Sequence, residues 1–163
     1  MPLRVAVFED DVEAVPDDAI LYRRVVWNTI GGRDRCPAGA TASLNDNCFT
    51  DWPADRALEQ GFPGPCMSVG VSTVLVRLGY SPDKMVENYP ECGLACVSAA
   101  ALRGLRKLDK SQSPCPQGIM LAATEAEPWH GIVFDLAGGP RGGAARKAIF
   151  RVSHWVVPLV NHG

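Results

Sequence analysis

No stretch of this sequence stays apolar for the ~18 residues that a membrane-spanning helix requires. An excess of positive charge is also missing. Lys and Arg number 16 against 18 Asp and Glu, leaving a net charge of −2, whereas a general nucleic-acid binder is usually basic. The opening Leu3-Arg4-Val5-Ala6-Val7-Phe8 is too short for a signal-peptide core and runs straight into acidic residues. The expectation is a cytoplasmic protein with neither a membrane nor a nucleic acid as partner. Phosphate-binding signatures are absent too. No Gly-Lys-Ser/Thr closes a glycine-rich loop and no GxGxxG occurs, so the residues name no cofactor.

Cysteine, by contrast, is plentiful: Cys36, Cys48, Cys66, Cys92, Cys96 and Cys115. Without a secretory segment, free thiols are expected rather than disulfides. Cys92 and Cys96 form a CxxxC pair, but a structural zinc site needs two more ligands at similarly tight spacing, and none is visible. No metal is expected.

Nearly half of the 163 residues are apolar and about a fifth are charged, the composition of an ordinary globular protein. Residues 1–163 are expected to form a single α+β domain, a mixed or antiparallel sheet flanked by short helices. Ala19 to Trp27 is rich in β-branched and aromatic residues and reads as a strand. Alternation puts Leu21, Arg23 and Val25 on one face, with Tyr22, Arg24 and Val26 on the other. If both faces are covered, one arginine is buried and needs an acidic partner or a ligand. Residues 28–48 form a long loop of Gly, Asp, Asn and Pro, a kind of segment that is often functional. Asp51 to Gly61 reads as a short helix. Val69 and Val71 lie in an extended piece. Val74, Leu75 and Leu78 then share a helical face that Gly79 ends, and Pro82 opens another short helix with Met85 inward. Gly93 to Ala99 is a candidate strand. Gly118 to Thr124 and Trp129 to Phe134 make an antiparallel hairpin across Glu125-Ala126-Glu127-Pro128. Ala144 to Val152 is a helix burying Ala148, Ile149 and Val152, and Trp155-Val156-Val157 is a final strand.

The segment that says most is Glu127-Pro128-Trp129-His130-Gly131-Ile132-Val133-Phe134. A titratable imidazole sits directly before a run that should be buried. At neutral pH His130 suits a general base, or it donates one hydrogen bond to a carbonyl and does nothing more. His154 and His162 read as surface residues. Ser68 is outside any GxSxG elbow, and Cys66 beside it shows no sign of a lowered pKa. The loop Gly138 to Gly143 opens onto a helix start, and Arg141, Arg146 and Lys147 add charge to a candidate anion cradle. A solvated surface loop is the competing explanation.

Several stretches together resemble a group of small bacterial proteins of unassigned activity. They are Leu21-Tyr22-Arg23-Arg24-Val25 after Pro16-Asp17-Asp18, a serine followed by Phe49, Met67-Ser68-Val69, the Glu127–Val133 run, and Arg146-Lys147-Ala148 leading to Trp155-Val156-Val157. The pattern spans most of the chain from Val15 to Pro158, and the chain departs from it between Ser43 and Phe49. The resemblance implies that Arg24, Phe49, Ser68 and His130 act together. An arginine on an early strand, a later serine and a late glutamate (Glu125 or Glu127) also resemble the layout of ADP-ribosyltransferase-like toxins that use NAD. The leading expectation is a polar pocket of Arg24, Ser68 and His130, with Phe49, Arg141 and Lys147 as further ligand contacts. It would take a small anionic or nucleotide-like ligand and leaves room for catalysis. The competing expectation is a non-catalytic protein-interaction module in which these residues form a buried hydrogen-bonded network.

Overall fold

Alternation along Ile20–Val25 (β1) decides how the sheet is covered. Leu21 and Val25 are fully buried on one face, while Tyr22 and Arg24 on the other are half-buried. Both sides of β1 therefore carry packing. The computed structural model describes residues 15–49, 66–104, 118–134 and 142–162. The expected helix at Asp51–Gly61, the loop before Gly142 and Arg141 itself lie outside them.

The remaining strands are β2 (Cys66–Val71), β3 (Gly93–Ser98), β4 (Gly118–Leu121), β5 (His130–Phe134) and β6 (His154–Val157), and the helices are α1 (Ser72–Arg77), α2 (Ala99–Gly104) and α3 (Gly142–Arg151). The strands form one six-stranded open sheet in the order β4-β5-β2-β1-β3-β6, with every neighbouring pair antiparallel. The fold is α+β, and of the two expected sheet types it is the antiparallel one.

On the first face Leu21, Met67, Val69, Val71, Val97 and Val133 meet Ile149 of α3 and Phe49 of the 3-10 turn Asp46–Phe49 in the main core. A second, smaller cluster joins Trp27, Cys36, Ala42 and Leu159. Trp27 was expected to extend β1, but the strand ends at Val25 and Trp27 starts a 3-10 turn. Residues 28–48 are not simply a loop, since they contain three such turns.

The ladder between β1 and β2 contains only the pairs Leu21–Val71 and Tyr22–Gly70. Beyond them the two strands part, and Arg23 fills the opening. Its Nη1 donates to the Ser68 carbonyl at 2.8 Å and its Nε to the Cys48 carbonyl at 2.9 Å. Arg23 is half-buried on the face of Leu21 and Val25 and meets backbone oxygens there.

Helix ends differ from the expected faces. Leu78 lies one residue past α1 and Val152 one past α3, and both are exposed. Gly79, at φ 78°, turns the chain after α1 in the left-handed conformation that glycine adopts without penalty. Among the described residues, no helix is long and apolar enough to cross a membrane.

Candidate functional site

Register brings a row of side chains together on the second face. His130 of β5 is paired with Gly70 of β2, Gly70 with Tyr22 of β1, Tyr22 with Cys96 of β3, and Cys96 with His154 of β6. Paired residues in an antiparallel sheet point to the same side, and so do residues two apart on one strand. Arg24 and Ser68 therefore share the face of His130, on three adjacent strands. Gly70 leaves a gap in the row that the Met85 side chain occupies, with Trp129 alongside.

Arg24 is engaged from three directions. Its Nη2 is 2.6 Å from Oε1 of Glu127, its Nη1 donates to the Met85 carbonyl at 3.3 Å, and its guanidinium lies 4.0 Å from the centre of the Tyr89 ring. The side chains of Arg24 and Glu127 are 26% and 22% exposed. The pair is thus partly desolvated, a setting in which a charge-assisted bond is stronger than on an open surface. Local backbone chemistry aims Glu127. The Thr124 hydroxyl accepts from the Glu127 amide at 2.9 Å, and the Glu127 carbonyl accepts from the Thr124 and His130 amides. A tight turn thus sets the carboxylate against Arg24 and the start of β5 in one step.

His130 is 8% exposed. Its Nδ1 lies 2.8 Å from the Ala122 carbonyl. A carbonyl only accepts, so Nδ1 carries the proton and the neutral ring presents Nε2 as an acceptor. Burial holds the His130 pKa below the usual histidine value. The Ala122 bond and the nearby Glu127 carboxylate oppose that shift, and Arg24 reinforces it. The folded pKa is depressed, so the folded state resists protonation while the unfolded chain takes up a proton below ~6.5. The stabilisation is present above that pH and is lost as pH falls toward the folded value. Melting temperature is expected to drop on acidification from about pH 7 to about pH 5, before ordinary carboxylates titrate. His130→Gln should flatten that drop, and an equal drop in the variant would contradict the assignment.

The other expected contacts divide. Ser68 is half-buried on the face of Arg24 and His130, and its carbonyl serves Arg23. It does not cap α1, whose N-cap is Val71 without a side-chain bond. Phe49 is 1% exposed in the core on the opposite face. Lys147 is exposed on α3, the helix that covers the Phe49 turn. Register therefore puts Arg24, Ser68 and His130 on one face of three adjacent strands and leaves Phe49 and Lys147 on the other side of the sheet. Tyr89 and the Met85 carbonyl join Arg24 without having been singled out as contacts, and Glu127, named only for the transferase-like layout, is its ion-pair partner. Glu127 was legible, since it precedes His130 by three residues in the same hairpin.

Farther along the row, the Cys96 sulfur is 3.2 Å from His154 Nε2. Burial pushes the Cys96 thiol up, which favours the protonated form of the sulfur beside the imidazole. Cys36, Cys92 and Cys96 are free thiols. Among the described residues, no three His, Cys, Asp or Glu side chains converge as metal ligands. Comparisons with protein-family models, with curated proteins and with solved structures find no match.

Proposed function

We propose that this chain is a non-catalytic protein-interaction module, in which Arg24, Glu127 and His130 fasten the β4–β5 hairpin turn to the centre of the sheet. The observation that supports this reading most is the coordination of Arg24 by a carboxylate, a carbonyl and a ring at once. An anion arriving at Arg24 has to displace Glu127 and leave a half-buried carboxylate beside a buried imidazole, which is costly. Contact with a partner falls to the end of α1 and the segment after it. Val76 is 75% exposed, and Leu78, Tyr80 and Tyr89 are exposed as well. Tyr80 is held edge-on by Trp129 at 5.9 Å, and Lys84 Nζ lies 4.9 Å from the centre of its ring. A fixed aromatic anchor loses little side-chain freedom on binding. Val76→Asp combined with Tyr80→Ala is expected to abolish capture of whatever protein the wild-type chain retains, with the fold intact by circular dichroism. Equal capture by the variant would contradict the proposed surface.

One observation favours a second reading, a pocket for a small anionic or nucleotide-like ligand. The Ser68 side chain stands half-buried on the same face as Arg24 and His130. Thermal shift with inorganic phosphate, ATP and NAD separates the two. The module reading expects no stabilisation that depends on Arg24. Stabilisation by any of the three that Arg24→Ala removes would put the ligand reading first, with NAD pointing to the transferase layout.

A further inference from the structure

Away from the row of the second face, the turns between Ile30 and Asn45 line a half-open cavity of about 330 Å³. Its polar lining consists of Arg35, Thr41, Ser43 and Asn45, with Ile30 and Leu44 among the apolar contributors. The size is at the lower end of pockets that hold small molecules.

The wall is built before any ligand arrives. The chain after β6 stitches it from behind. Trp155 Nε1 donates to the Ala42 carbonyl at 2.9 Å, and the Ala42 amide to the Leu159 carbonyl at 2.8 Å. The Asn161 amide donates to the Ala40 carbonyl at 3.1 Å, and its side-chain nitrogen to the Cys36 carbonyl at 2.5 Å. Residues far apart in sequence thus fix the backbone around Thr41, which bridges to Val160. A preformed pocket binds without a large ordering cost.

The lining is donor-rich. The Asn45 side-chain oxygen already accepts from the Asn47 amide at 2.9 Å, so its NH₂ group is the part left to donate. Thr41 and Ser43 add hydroxyls. Arg35 supplies the charge. Its neighbour Arg33 is ion-paired with Glu91, whereas among the described residues no carboxylate is paired with Arg35. Gly31, at φ 91°, makes room for it. A Cβ at that position would stand 3.0 Å from the Arg35 Cδ and 3.3 Å from its Nη1.

We infer that this cavity is a binding site for a small organic anion, an oxyanion group on a short apolar body. The guanidinium of Arg35 receives the oxyanion, the hydroxyls and the Asn45 amide share it, and Ile30 and Leu44 meet the body. A planar guanidinium fork pairs with carboxylate and phosphate oxygens alike. The site is independent of the proposed interaction surface and of Arg24.

Titration of the 15N-labelled chain with benzoate and with phenyl phosphate tests this. Saturable shifts are expected at the amides of residues 30–45, with benzamide as the neutral control giving none. Arg35→Gln, an exposed position where the fold should survive, should weaken binding about ten-fold or more, and Ser43→Leu should block it by filling the cavity. Benzoate and phenyl phosphate binding equally would assign an oxyanion site, and binding of one alone would assign a carboxylate or a phosphate site. No saturable shift with either, or shifts that Arg35→Gln leaves unchanged, would overturn the inference. Neither result touches the protein-interaction reading, which is tested separately at Val76, Tyr80 and Arg24.

Discussion

Phe49→Ala is expected to cost about 3–5 kcal/mol, the usual range for deleting a buried phenyl ring without collapse of its surroundings. Phe49 is 1% exposed and packs in the core that contains Ile149 of α3. The site is closed in by the sheet on one side and a helix on the other, so the vacated space cannot be filled cheaply. Such a loss is a large part of the total stability of an ordinary domain, roughly 5–15 kcal/mol, and the variant should be partly unfolded at physiological temperature. Chemical denaturation with two probes measures it. A loss below about 1 kcal/mol would mean that the ring faces solvent or a ligand, as the resemblance implied, and not the core.

Glu127→Ala should destabilise by about 2 kcal/mol. Removing one member of a buried ion pair costs ~3–5 kcal/mol because the other is stranded. Here both side chains keep about a quarter of their exposure, at 26% and 22%, so water offsets part of that cost. The damage should be local as well. Glu127 is part of the turn that starts β5, and the His130 amide donates to its carbonyl. Hydrogen exchange should therefore quicken first at Ala122 and His130, whose backbones pair across the hairpin. Wild-type protection at both amides in a destabilised variant would show that the turn is held by something else.

Much of the architecture was readable where physical signals are local. Alternation marked β1, the apolar runs on either side of Glu125–Pro128 marked the β4–β5 hairpin, and Gly79 marked the end of α1. Faces failed where a helical period was carried past the end of the helix. Leu78 and Val152 fit the period of α1 and α3, but each sits one residue beyond its helix and turns outward. Placing Arg24, Ser68 and His130 on one face needed the register of three strands, and that register depends on pairings about fifty and about sixty residues apart in sequence. The burial of Phe49 likewise depends on α3, which follows about a hundred residues later. Arg23 is the instructive case. Alternation put Arg23 on the face of Leu21 and Val25, but only the early parting of β1 and β2 explains how it reaches the Cys48 and Ser68 carbonyls.

The central claim is that Arg24 is bonded to its own fold and is not held ready for a ligand. A double-mutant cycle between Arg24→Met and Glu127→Leu, read by denaturant unfolding at neutral pH, tests it most directly. The two side chains are in contact, so each single substitution strands its partner while the double one removes both charges together. A coupling energy of about 1–2 kcal/mol is predicted, with the double variant more stable than the sum of the single losses implies. Additive losses within a few tenths of a kcal/mol would contradict the account and leave Arg24 available to bind something else.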